Sequence, residues 1–359
     1  MNKNRKNILI CPLEWGLGHA TRCMPIINKL IESNNNVIIA GDGRTLKLLE
    51  KEFPDLKTIK FPGYNIYYPR RKWMELSMLS QIPKIFYNIY KENQRLQKII
   101  DTHNIDIVIS DNRFGLWSSK AYSIYMTHQV LTKCPWFMKY MEYPLYQLHQ
   151  FFIKHYNECW IPDYKGEYSL ASDLSNKMKI NKNTFHIGPL SRFSKLSDSD
   201  IDYDILVIIS GPEPQRTVFE KLITEHCSVS SLNTLIVSGK TEGTNSIKKI
   251  NDKTHQVDYL NSKDLNIVIS RSKYVLCRSG YSSIMDMVHM KKQAILIPTP
   301  GQTEQEYLAD TLYEKKFFYR MQQNNVDLEL AVKKMGNYCP PSLDFKNILN
   351  DRINYLVDI

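Results

Sequence analysis

The chain has 359 residues, 47 Lys and Arg against 37 Asp and Glu, a net charge of +10 and 43% hydrophobic residues. That apolar content supports packed cores and excludes large-scale disorder, the length points to two domains, and no apolar run reaches the roughly 20 residues that span a bilayer. The basic balance invites nucleic acid or an anionic membrane surface, or serves solubility alone; without zinc-finger spacing, an aromatic RNA-binding signature or a concentrated basic helix, no nucleic-acid partner is expected.

The apolar run Ile8–Pro12 is too short for a signal peptide, and seven scattered cysteines without C-x-x-C spacing read as reduced thiols of a cytoplasmic protein. In chain order, Asn7–Cys11 is a short apolar strand running into Glu14-Trp15-Gly16-Leu17-Gly18-His19. Gly16 and Gly18 allow close backbone approach and positive φ. His19 falls where a helix begins, and imidazole there can take a hydroxyl proton near neutral pH. Thr21 occupies the third glycine position of G-x-G-x-x-G, which disfavours a dinucleotide.

A helix through Met24, Ile27, Leu30 and Ile31 follows, then a strand at Val37–Ala40, a helix at Thr45–Phe53 and a strand at Lys57–Phe61. Ile85, Ile89, Leu96, Ile99 and Ile100 share a helix face. Strands at Asp106–Ser110 and Ser123–Thr127 deliver Asp111, the second candidate base, and His128-Gln129, candidate acceptor contacts unless His128 is structural. Residues 64–90 (with Tyr67, Tyr68, Arg70, Arg71, Lys72 and Trp73) and 135–160 (with Trp136, Phe137 and Tyr140) interleave aromatics with bases. Such stretches suit an interfacial membrane patch and equally suit helix packing.

Ser191–Asp204, rich in Ser and Asp, reads as a linker. It divides the chain into a first domain at 1–190, a linker at 191–203, a second domain at 204–340, and a helix within 341–359 that packs back on the first domain. The β/α pattern restarts with strands at Ile205–Ser210, Thr234–Ser238, Gln256–Leu260, Tyr274–Cys277 and Ala294–Pro298, and helices at Thr217–His226, Lys263–Ser270 and Ser282–His289. This alternation predicts two doubly wound α/β domains facing across a cleft. Ligands of open α/β sheets bind beside the strand carboxyl ends, and helix starts suit diphosphates. The strand ends here offer Ser210-Gly211, then Arg278-Ser279-Gly280 with Ser282 and Asp286 one turn on, then Gln305 and Glu306. Ser282 equally suits a helix cap. No metal motif, Walker lysine or G-x-S-x-G elbow occurs, so neither metal nor cofactor is expected.

Arg278-Ser-Gly-Tyr-Ser-Ser-Ile-Met-Asp286 resembles the S-G-x-x-[ST]-x-x-E segment of glycosyltransferase family 28, a GT-B family that includes the UDP-GlcNAc-using peptidoglycan-precursor transferase. The resemblance, clearest over Ile205–Leu312, implies that Asp286 holds the nucleotide ribose, with one methylene less reach than Glu. Pro298–Tyr307 resembles the segment whose paired glutamines contact the donor sugar; Gln305 matches the first and Glu306 departs from the second. His186–Arg192 is similar to a G-N-P-V-R stretch, which implies Arg192 near the diphosphate, with Ser210-Gly211 as the phosphate loop. Gly16-x-Gly18-His19 resembles a G-G-T-G-G-H loop lacking two glycines, and His128-Gln129 an H-[EQ]-Q element near the acceptor.

The expected function is therefore metal-independent, inverting transfer of a hexosyl or N-acetylhexosaminyl group from a nucleotide sugar, UDP-linked as in UDP-GlcNAc, to a glycan or lipid-linked acceptor. The expected location is the cytoplasm, peripheral at the inner face of the plasma membrane. Two rival readings are a non-hydrolysing UDP-sugar 2-epimerase and a non-enzymatic basic binding protein.

Overall fold

The computed structural model describes residues 5–63, 74–180 (backbone alone over 74–83), 183–196, 200–240, 243–244, 246–341 and 348–358 (backbone alone at 358). Short apolar runs in the first half become parallel strands: β1 Asn7–Pro12, β2 Asn36–Gly41, β3 Lys57–Lys60, β4 Ile107–Asp111, β5 Tyr122–Met126, β6 Glu158–Ile161 and β7 Asn183–His186. Their order is β3-β2-β1-β4-β5-β6-β7. The second half repeats the design with β8 Tyr203–Ile208, β9 Thr234–Val237, β10 Lys248–Lys249, β11 Thr254–Val257, β12 Ser272–Cys277, β13 Ala294–Leu296 and β14 Tyr319–Arg320. Its order is β10-β11-β9-β8-β12-β13-β14, parallel except for β10. Strands such as Ile8–Cys11 and Val275–Cys277 are buried on both faces, which is why they read as continuous rather than alternating apolar runs.

Crossover helices cover the sheets: α1 Leu17–Glu32, α2 Gly43–Glu52, α3 Met74–His103, α4 Glu142–Ile153 and the short α5 Asp173–Asn176 in the first half. In the second half come α6 Gln215–Val229, α7 Ser262–Ser270, α8 Tyr281–His289, α9 Thr303–Glu314, α10 Leu328–Lys334 and the terminal α11 Ile348–Asp358. Asp42 caps α2 and Asn261 caps α7 with their side chains, accepting from Gly43 and Asp264 N–H groups.

The strand at Gln256–Leu260 begins two residues earlier than its hydrophobicity predicts, at Thr254, because Thr254 Oγ1 finds a buried partner in Cys227 O at 2.9 Å. Strands β6 and β7 escape the sequence reading. Their segments, ECWI and NTFH, carry polar residues that the fold satisfies: Glu158, 1% exposed, accepts from Tyr122 Oη at 2.6 Å and Trp160 Nε1 at 2.9 Å. It also pairs with Arg352 of α11, whose guanidinium lies 3.7 Å over the Phe185 ring.

The two sheets share one hydrophobic cluster, which runs from Ile8 and Ile109 through Leu174 and Tyr281 to Val275 and Leu296. Polar contacts join them as well. Tyr281 Oη donates to Pro162 O at 2.8 Å, the Asp173 N–H to Tyr307 Oη at 3.0 Å, and Lys315 Nζ to Glu167 O and Ser169 O at 2.9 Å each. At the head of the stretch read as a linker, Ser191 and Phe193 are buried against the second half.

Candidate active site

On the first sheet, β4 lies between β1 and β5 in parallel register, Pro12 beside Asp111 and Asp111 beside Met126, so three strand ends open on one edge. In open α/β sheets ligands bind beside the carboxyl ends of the strands, which is this edge. Helix α1 starts over this edge, and His19 and Arg22, three residues apart, share its inner face.

Fully buried Asp111 faces His19 Nδ1 at 2.9 Å and accepts from Arg22 Nε at 2.9 Å, with a second bond from the same guanidinium. Burial alone pushes the Asp111 carboxyl up, but the charges of Arg22 and His19 override it and hold it at about 2. Burial, aided by Arg22 and opposed by Asp111, lowers the pKa of His19, so its ring is neutral at pH 7. The two residues that the sequence offers as competing bases thus form one hydrogen-bonded pair. Arg22 was missed, although its place one turn after His19 was legible.

His128, two residues beyond β5, brings the halves together. Its ring stacks on Tyr281 of α8 with centroids 4.1 Å apart and planes 4° from parallel. Nδ1 lies 2.9 Å from an Arg22 Nη and Nε2 lies 2.9 Å from Glu304 Oε1. Burial raises the Glu304 carboxyl, and His128, Arg22 and His19 together bring it below its usual range. Gln129 is held by its backbone N–H on Thr127 Oγ1 at 3.1 Å.

The second sheet presents backbone instead. Gly211 after β8 has φ +114°, a region that favours glycine, and a Cβ there meets nothing within 4 Å. Ser210 immediately precedes it. Gly280 begins α8 with no side-chain cap and open space where a Cβ would sit. Ser282 is not a cap: its Oγ donates across the cleft to Gly18 O at 2.9 Å, and a Cβ on Gly18 would lie 2.7 Å from that oxygen. Gly18 is therefore required by close approach. Gly16 is extended at φ 170° and neither residue takes the positive φ that the sequence suggested.

Arg278 turns into its own domain, donating to Ile297 O at 3.3 Å, Pro298 O at 3.1 Å and Gln323 Oε1 at 2.7 Å over the Phe219 ring. Buried Ser279 donates to Gln305 O at 2.8 Å, while Gln305 Oε1 accepts the Thr299 N–H and Glu306 Oε1 the Gly301 N–H, each at 2.9 Å. These three side chains hold the turn at 299–302 against the start of α9, and Glu304 makes the contact across the cleft. Successive residues on a helix point about 100° apart, so the phase of α9 selects one of the three. Arg192 reaches Ser262 Oγ at 3.1 Å, and Ser262 in turn bonds Glu52 of the other half. Asp286 accepts from Ser191 Oγ at 2.6 Å, and burial, against Arg192 and Ser191, raises its carboxyl to about 6. Arg216 is taken up by Glu213, Glu220 and Ser238 O.

Beside the cleft, a groove of about 510 Å³ is lined by Lys133, Trp136, Phe137, Gly301, Glu306 and Tyr307. Of the aromatic stretch 135–160, Trp136 (88%), Tyr140 (73%) and Tyr143 (59%) are exposed, whereas Phe152 and Trp160 are buried. Arg70, Arg71 and Lys72 lie outside the described residues.

Residues 7–338 match the model of the family described as glycosyl transferase family 1. The chain belongs to glycosyl transferase family 1. Two proteins described as uncharacterized glycosyltransferases, from Methanosarcina mazei and Methanosarcina acetivorans, are 21% and 22% identical to it over 324 residues, 84% of this chain and 82% of theirs. Three solved structures share its fold at 9% identity. The calicheamicin glycosyltransferase CalG4 has a TM-score of 0.66 (99% of this chain, 94% of that one) and SnogD from Streptomyces nogalater 0.63 (99% and 95%). MurG from Acinetobacter baumannii has 0.55 (99% and 100%). The architecture is GT-B, and the chain is a glycosyltransferase. Among the described residues no helix is long and apolar enough to cross a membrane.

Proposed function

We propose that this glycosyltransferase moves a hexosyl or N-acetylhexosaminyl group from a UDP-linked donor to an acceptor hydroxyl by direct, inverting displacement without metal. The observation that carries this reading is the His19–Asp111 pair standing across the cleft from the uncapped start of α8. His19 Nδ1 lies 2.9 Å from both the Asp111 carboxylate and an Arg22 Nη. With its proton on Nδ1 toward the carboxylate, His19 Nε2 takes the acceptor proton as the acceptor oxygen bonds the anomeric carbon and the bond to the diphosphate breaks. Asp111 stabilises the resulting imidazolium, a general-base contribution of about 10²–10⁴-fold. The diphosphate leaves with its charge on the N–H groups after Gly280 and Gly211 and on Arg192. Asp286 receives the ribose hydroxyls, and Glu304 takes the donor-sugar contact that the sequence assigned to Gln305 and Glu306.

For the acceptor we favour a lipid-linked glycan approached from an anionic membrane at the inner face of the plasma membrane, a reading supported by exposed Trp136 and Tyr140 beside the groove. A thermal-shift screen against UDP-, GDP- and dTDP-sugars, with and without EDTA, tests the donor. Ligand at 100 times Kd stabilises by about 2.7 kcal/mol. A UDP-series shift that survives EDTA supports the reading, and no shift with any nucleotide sugar ends it.

A further inference from the structure

Arg22 is 2% exposed, a buried cation that proton abstraction by a His–Asp pair does not itself require. It sits among two histidines and two carboxylates from four parts of the fold: His19 on its own helix, Asp111 at the end of β4, His128 beyond β5 and, one link further, Glu304 on α9. A guanidinium only donates. The Arg22 Nη that lies 2.9 Å from His128 Nδ1 therefore makes that nitrogen the acceptor. The proton of the neutral ring must then sit on Nε2, where it points at Glu304 Oε1, 2.9 Å away. The same guanidinium donates to both oxygens of Asp111 and so sets the plane of the carboxylate that faces His19 Nδ1. The other Nη lies 2.9 Å from His19 Nδ1, where the Asp111 carboxylate, at the same distance, competes as acceptor for a proton on that nitrogen. One side chain thus orients the partner of one histidine and selects the tautomer of the other, whose bond ends in the opposite domain.

We propose that Arg22 is a positioning residue that ties the His19–Asp111 pair through His128 to Glu304, so that the base is aligned when the two halves of the cleft are in contact. The proposal rests on His19 being the base. Asp111, Arg22 and, more distantly, His128 and Glu304 face His19; Arg22, Glu304 and the Tyr281 ring face His128. Removing the positive charge of Arg22 makes protonation of His19 easier, and removing the negative charge of Glu304 makes it harder. Opposite responses to changes on opposite sides of the cleft are not the signature of a residue that only packs.

The test is ¹⁵N NMR of the full-length chain labelled at histidine, following the ring nitrogens of His19 and His128 against pH in the wild type, Arg22→Met and Glu304→Gln. It needs no donor or acceptor. Expected are an Nε2–H tautomer for His128 in the wild type, a His19 midpoint that rises in Arg22→Met and a midpoint that falls in Glu304→Gln. An Nδ1–H tautomer for wild-type His128, or a His19 midpoint unmoved in a folded Arg22→Met, overturns the proposal. Should Arg22→Met not fold, Glu304→Gln at a half-buried carboxylate decides alone, and unmoved histidines then overturn it. With a donor in hand, Arg22→Lys lowers kcat by about 10²-fold, the scale of a misplaced catalytic group, at unchanged donor KM. An equal rise in KM would make Arg22 a donor-binding residue and overturn the positioning role. NMR as expected in a protein without transferase turnover would sink the function and leave the network standing.

Discussion

The two sides of the cleft are built from the same strand-then-helix unit, with matching strand orders around β1 and β8, yet they equip it differently. The N-terminal side places ionisable side chains at its strand ends: Asp111 after β4, His128 after β5, and His19 and Arg22 on α1 above them. The C-terminal side places glycine and bare backbone there: Gly211, Gly280 and an α8 start without a side-chain cap. The difference follows from the work each side is proposed to do. Moving a proton needs a group whose pKa is tuned by burial and neighbours, whereas cradling a diphosphate needs N–H groups that approach closely and never change charge.

Three substitutions would break or sharpen that contrast. The largest effect is expected from His19→Ala: a kcat loss of about 10²–10⁴-fold with donor affinity intact, read by steady-state kinetics beside nucleotide titration. Equal loss of both properties would erase the division of labour between the sides.

Next is Asp286→Asn, expected to weaken nucleotide binding by roughly ten- to a hundredfold, the worth of one hydrogen bond to a charged group. Its carboxyl, raised from 3.8 to about 6, holds a proton in the native state between those values. Ionisation therefore costs stability progressively from pH 4 to 6 and in full above 6. The asparagine variant should accordingly melt higher than wild type at pH 7, and wild-type nucleotide affinity should fall below pH 6 as the carboxylate protonates. In calorimetric titration across pH, with melting curves of both proteins, an unchanged affinity would overturn the ribose contact and a lower melting point the raised carboxyl.

The smallest effect is expected from Gly18→Ala. The added Cβ meets Ser282 Oγ at 2.7 Å, and overpacking of this kind costs about 1–3 kcal/mol. Because the contact spans the cleft, melting should drop modestly, and the companion Ser282→Ala should restore it. Failure of that rescue would place the strain elsewhere.

Much of the fold was legible because buried parallel strands announce themselves as apolar runs: DIVIS, ILICP and AILIP each coincide with a strand of the sheets. Less legible were β6 and β7, where Glu158 sits in a strand because Tyr122, Trp160 and, nearly two hundred residues later, Arg352 satisfy its carboxylate. In the candidate site, His19, Asp111 and Asp286 were visible as polar residues just past apolar runs or on the first turns of helices. Arg278, by the same pattern, pointed to phosphate, but its two Nη groups donate to Ile297 O, Pro298 O and Gln323 instead.

By itself the order of residues determined the α/β alternation, the two-half organisation and the glycine-rich strand ends, since these depend on local periodicity and backbone freedom. Only the tertiary structure decided that His19 and Asp111 are partners rather than rivals and that Arg22 links them to His128. It also decided that Glu304, not Gln305 or Glu306, meets the other half. The reason is that those relations join positions up to 176 residues apart and depend on the rotational phase of helices α1 and α9. Neither strand pairing nor helix phase is carried by any single segment of the chain.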